Sequence, residues 1–158
     1  MSTAKSMSPL FRRDLIRLCQ QIEAFADEAA LWKRTSGIAN PAGNLILHIE
    51  GNLREYIGRQ LGSIPYVRDR TSEFAMESVP RHELIARVEF LRDTIPEIIE
   101  GLTEEQLARE YPEVVLQRPI STGQFLIHLY GHLNWHLGQV DVIRQIQTGR
   151  RALKLAGL

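Results

Sequence analysis

The sequence predicts an all-α protein, a four-helix bundle, on three observations. Apolar residues recur at alternating intervals of four and three over long stretches, the seam of a bundle helix. Capping residues and Pro or Gly breakers bound those stretches. Strand material is confined to Glu113-Val114-Val115-Leu116, too short to build a sheet on. The first helix is expected to start at Ser8-Pro9, as N-cap and first helical residue. Its seam is Phe11, Leu15, Leu18, Ile22, Phe25 and Ala29, and it stops near Trp32, before Thr35-Ser36-Gly37. A second helix enters through Asn40-Pro41 and runs from Ala42 to Gln60. The polar connection from Gly62 to Val79 is too long for a minimal hairpin, so it is expected to cross the bundle or carry function. The third helix has the cleanest seam, Leu84, Val88, Leu91, Ile95, Ile98 and Leu102. Pro96, inside it, is expected to kink or break it because it lacks an amide donor. Thr103-Glu104-Glu105-Gln106 reads as a capping box. The last helix starts at Ser121 or Thr122 and ends at Thr148-Gly149, where glycine suits a C-cap.

Composition narrows the function. The chain has 158 residues and is 44% hydrophobic, as expected of one globular domain spanning residues 1–158. Lys and Arg number 19 against 19 Asp and Glu, and a net charge of zero argues against non-specific nucleic-acid binding. No apolar run is long enough to span a membrane, and the first dozen residues lack the apolar core of a signal peptide. One cysteine, Cys19, cannot form an internal disulfide, so a cytoplasmic protein with Cys19 as a small core residue is expected.

The histidines carry the chemistry. His128, His132 and His136 stand four apart in the last helix, along one face. A pair at i and i+4 can converge on one ion, but His128 and His136 are two turns and about 12 Å apart. Phe125, Leu129, Leu133, Val140 and Ile143 define the buried arc, which favours the pair His132 and His136. His48 is the candidate third ligand, on the border of the second helix's apolar face. It lies beside Asn44, Asn52 and Glu55, and Asn52 falls where a bundle wants an aliphatic side chain. On residues alone, the pair either shares a metal or consists of buried, hydrogen-bonded histidines. His82, at a helix start, is expected to be exposed. Gly131 and Gly138 are expected to permit close helix approach or ligand access.

The segment Asn40-Pro41-Ala42-Gly43-Asn44-Leu45-Ile46-Leu47-His48-Ile49-Glu50-Gly51-Asn52 resembles the second-helix signature of the DinB-like (YfiT-like) metalloenzyme superfamily. His128-Leu129-Tyr130-Gly131-His132-Leu133-Asn134-Trp135-His136-Leu137-Gly138-Gln139 is similar to its fourth-helix motif, two histidines four apart followed by Gly-Gln. Arg68-Asp69-Arg70-Thr71-Ser72-Glu73-Phe74 is similar to a segment of one branch. The resemblance covers nearly the whole chain in order and spacing. It implies a four-helix bundle holding Zn²⁺ or Ni²⁺ on His48, His132 and His136, and commonly a homodimer. It also implies thiol-dependent S-transfer, with a small-molecule thiol and an electrophile as partners. Asn44, Asn52, Glu55, His128 and Gln139 are the residues expected to support the ligands or contact the thiol. Metal-dependent hydrolysis and a non-catalytic, metal-binding stress-response role are the alternatives. One departure is that Trp135 and Leu137 flank the second ligand where relatives often carry His and a basic residue. A less polar site mouth is expected in consequence.

Overall fold

A computed structural model describes residues 2–150 and 153, and every regular element among them is helical. Helix α1 spans Thr3–Ala24, α2 Glu28–Trp32 and α3 Ala42–Leu53, which runs on into a π-helical turn, Arg54–Arg59. Then follow α4 (Arg70–Ala75), α5 (Arg81–Glu100), α6 (Glu104–Ala108) and α7 (Thr122–Thr148). No described helix is long and apolar enough to cross a membrane.

Both ends of the first expected helix are corrected. Ser2, not Ser8, is the N-cap: its side chain accepts from the Lys5 amide at 3.3 Å, and Glu104 Oε1 accepts from the Thr3 amide at 2.7 Å. Pro9 therefore lies inside α1. The chain also leaves the helix at Phe25, because Asp27 caps a separate short helix by accepting from the Ala30 amide at 2.8 Å. That helix, α2, sets Trp32 against α3, where a Cβ on Gly43 would stand 2.7 Å from the indole ring. In α5, helical structure continues through the buried Pro96, with no break. The seam there ends on Ile99, with Ile98 only partly buried. The expected capping box of Thr103 with Gln106 starts α6, and Ser121, one of the two candidate starts, forms a second with Gln124 at the start of α7. Gly149 closes α7 in the left-handed region (φ 65°).

Helix α1 packs against α5 and α7, and α3 packs against the same two. Phe11, Leu15, Leu18 and Ile22 meet the seam of α5 in a common core with Leu129, Leu133, Val140 and Ile143 of α7. Buried polar contacts set the register of α1 on α7. Asp14 accepts from Tyr130 Oη at 2.8 Å, and Gln21 Oε1 accepts from Arg144 Nε at 2.6 Å. Helix α3 is buried on every side, not along a stripe, because α2 and α4 cover the faces that α5 and α7 leave. That setting takes His48 and Asn52 out of water.

Candidate metal centre

His48 is delivered by α3, and His132 and His136 by consecutive turns of α7. One ring nitrogen from each lies within 4.8 Å of the other two, so the three could hold a metal ion. The His132 Nε2 atom is 3.1 Å from Nε2 of His48 and 3.1 Å from Nε2 of His136. Two nitrogens bound tetrahedrally to one zinc ion, at about 2.0–2.1 Å each, stand about 3.3 Å apart, so the spacing suits a shared ion.

Proton bookkeeping supports the same conclusion. His48 Nδ1 is 2.9 Å from Glu73 Oε2, and His136 Nδ1 is 2.7 Å from Gln139 Oε1. Each acceptor places the proton on Nδ1, which leaves the Nε2 lone pair directed at His132. The Nε2 atom of His132 carries at most one proton, so at most one of its two 3.1 Å contacts is a linear hydrogen bond, and the other sets a lone pair against a nitrogen that offers it no proton. A cation relieves that repulsion. Protonation does not compete at neutral pH, since burial, helped by the neighbouring His136 and His48, pushes His132 down to about 4. His136 is also lowered by burial, against the opposing hydrogen bond to Gln139. Neutral imidazole is the metal-binding form.

Glu73 is the member of this centre that sequence reasoning missed. It arrives from α4, a helix inside the expected irregular connection, which starts where Asp69 accepts from the Ser72 amide at 3.0 Å. The Glu73 carboxylate is buried and takes two bonds from Arg68, Nε at 2.6 Å and Nη2 at 2.9 Å. Burial drives its pKa up, but the bonds from His48 and Arg68 outweigh that and hold it below the usual carboxylate range. The result is an arginine–carboxylate–histidine chain that fixes the ring of the proposed ligand. Gly51 makes room for it, because a Cβ there would collide with the carboxylate, 2.8 Å from Cδ. A signal existed in the sequence: a glycine in the middle of a helix costs about 1 kcal/mol and wants a packing reason.

The other expected supporting residues divide. Gln139 holds His136 as expected. Asn44 directs its amide away from the imidazoles: its Nδ2 donates to the Glu73 and Met76 carbonyls at 3.0 and 2.8 Å and so pins α4. His128 is not placed with the three clustered histidines. It stacks on Phe125 at 5.8 Å, with its ring 6.4 Å from that of His132. Glu55 is a correction: it pairs with Arg59 in the π-helical turn and does not line the cavity beside the histidines. The wider i→i+5 turn changes the angular step after Leu53, so positions read off an α-helical wheel drift beyond it.

The cavity beside His48 and His132 has a volume of about 390 Å³. Asn52 of α3 and Tyr56 of the π-helical turn continue its wall, with Leu129 and Phe125 along α7, and Val115 comes from the loop before α7. Its rim carries Arg68 and Arg70, which corrects the expectation of a less polar mouth. Leu137 is buried, and Trp135 lines a separate groove with Ile38 and Gly138. Gly131 and Gly138 face open space, so they permit no close helix approach within the chain. Cys19 is buried in the core and burial pushes its thiol up to about 11, the behaviour of an inert side chain. His82 is exposed, as expected.

No family model matches this chain, and no curated protein matches it. The functional reading therefore rests on the residues and their geometry.

Proposed function

We propose that the protein is a divalent-metal-dependent enzyme of the DinB-like type, which adds a low-molecular-weight thiol to an electrophile. On this reading α1, α3, α5 and α7 are the helices of a four-helix bundle, and His48, His132 and His136 hold Zn²⁺ or Ni²⁺, both of which imidazole suits. The observation that carries it is the convergence of three Nε2 atoms, two of them with Nδ1 bonded to an acceptor. Three neutral imidazoles leave coordination positions for a substrate, unlike a closed structural site. When bound, the ion supplies Lewis-acid chemistry that favours the deprotonated form of a thiol or of water. The chain's own part is to hold the ligand rings through Glu73 and Gln139 and to shape the cavity against Leu129, Phe125 and Val115.

Turnover tests this directly. Zinc- or nickel-loaded protein, offered a panel of small thiols with a generic electrophile such as a chlorodinitrobenzene, is expected to form the thioether at a rate that chelation abolishes. Metal-dependent ester hydrolysis without thiol would favour the hydrolase alternative. Tight metal binding with neither activity would favour the non-catalytic stress-response alternative.

The homodimer has support of its own on α7. Ile127, Gly131, Trp135, Gly138, Val142 and Ile146 form one exposed stripe spaced four, four, three, four and four residues apart, which reads the same in both directions. A second copy laid antiparallel sets Trp135 over Gly138, Val142 over Gly131 and Ile127 against Ile146, large side chains over open glycines. Sedimentation velocity is expected to show a dimer for the wild type and a monomer for Trp135→Glu. A monomeric wild type at tens of micromolar would remove the dimer from this reading.

A further inference from the structure

Asn52 is the unexplained polar group of the cavity. It is 8% exposed, stands one helical turn beyond His48, and lines the same cavity as His48 and His132. Its Oδ1 is buried with no hydrogen-bond partner. A buried acceptor left unpaired is costly, and replacement by an apolar side chain of similar volume would remove the cost at once. The neighbouring polar groups do not relieve it. Arg68 directs Nε and Nη2 at Glu73 and His48, and the Asn44 amide donates to backbone carbonyls at α4, so neither bonds the Asn52 oxygen.

We propose that Asn52 is a specificity-determining residue whose side-chain amide pairs with an N–H group of the bound thiol, so that the site selects amide-bearing thiols over simple alkyl thiols. The inference rests on the thiol-transfer reading above. The spacing suits it. Residues i and i+4 are separated by about 6 Å along the helix axis, and a sulfur at the imidazole end followed two carbons later by an amide N–H reaches that interval once a hydrogen bond of about 2.9 Å is included. The rest of such a molecule continues past Asn52 toward Phe125, Leu129 and Val115, which form the apolar part of the wall. A site built around a hydrogen-bonding partner rejects the analogue that lacks it far more strongly than an apolar pocket does.

The test uses zinc-loaded full-length protein and two probes, N-acetylcysteamine and its N-methyl derivative, which has no N–H. Calorimetric titration of the wild type is expected to give at least a tenfold preference for the N–H probe, roughly one hydrogen bond to a buried acceptor. In Asn52→Leu, which keeps the branched shape and removes the polar atoms, the preference is expected to fall to within about twofold at unchanged zinc content. A preference that persists in Asn52→Leu is steric and overturns the inference. So does equal binding of the two probes by the wild type, a result that needs no variant to fold and leaves the thiol reading standing. Binding of neither probe, or equal binding to zinc-free protein, overturns the thiol reading and this inference with it.

Discussion

Replacing His132 with alanine is expected to cost the protein its metal. Untagged wild type, purified and measured by elemental analysis, should hold about one equivalent of a single divalent ion per chain, and His132→Ala a small fraction of that. His132 is the strongest choice because its Nε2 is the atom that both other Nε2 groups approach at 3.1 Å. His48→Ala and His136→Ala are expected to behave alike. His128→Ala is the internal control: that ring stacks on Phe125, outside the cluster, and the variant should retain the ion. Metal loss should also appear as lost thermal stability, because an ion present at about a thousand times its Kd stabilises the folded state by about 4 kcal/mol. A wild type with no bound ion, and a melting temperature indifferent to added zinc or nickel and to these substitutions, would leave a helical protein with an imidazole cluster and no metal.

The second large effect is expected at Glu73, which touches no ion in this arrangement. Glu73→Ala strands the Arg68 guanidinium in a site where only 12% of its side chain is exposed, and it frees the His48 ring. Removing one partner of a buried ion pair costs about 3–5 kcal/mol. Loss of the carboxylate that orients a ligating histidine costs about 10- to 100-fold in metal affinity. Glu73→Gln separates the two effects, since its amide oxygen still accepts from His48 Nδ1 or Arg68 while the charge is gone. It should fold better than Glu73→Ala yet bind metal more weakly than wild type. Chemical denaturation and competitive titration with a chromophoric chelator measure the two quantities independently. Unchanged metal affinity in Glu73→Gln would mean that the carboxylate merely packs α4 onto α3.

Glu73 also marks the limit of what the sequence made legible. The histidine pair on α7 could be read because a spacing of four in a helix puts two side chains on one face, whatever the rest of the chain does. Gln139 came with the resemblance, whose motif follows the second histidine with Gly-Gln, and it lies three residues beyond His136. Asn52 stood out as an amide among apolar positions, and it is buried. Glu55 was misplaced because regular helix geometry was carried across a π-helical turn that nothing in Arg54–Arg59 announces. The early start of α1 was missed because one of the two contacts that secure it, the Thr3 amide on Glu104, spans 101 residues.

By itself the sequence determined the helical class, the starts of α6 and α7, the glycine cap that ends α7, and the pairing of His132 with His136. Each depends on residues within about one turn of one another, where covalent spacing alone sets the geometry. Only the tertiary structure decided that α4 forms inside the long connection and lies on α3, that Gly51 leaves room there, and that Arg68 and Glu73 reach the His48 ring. Glu73 and His48 are 25 residues apart along the chain. A contact of that range is selected by burial and charge pairing in the packed state, when the carboxylate has given up water and must find Arg68 and His48 in its place.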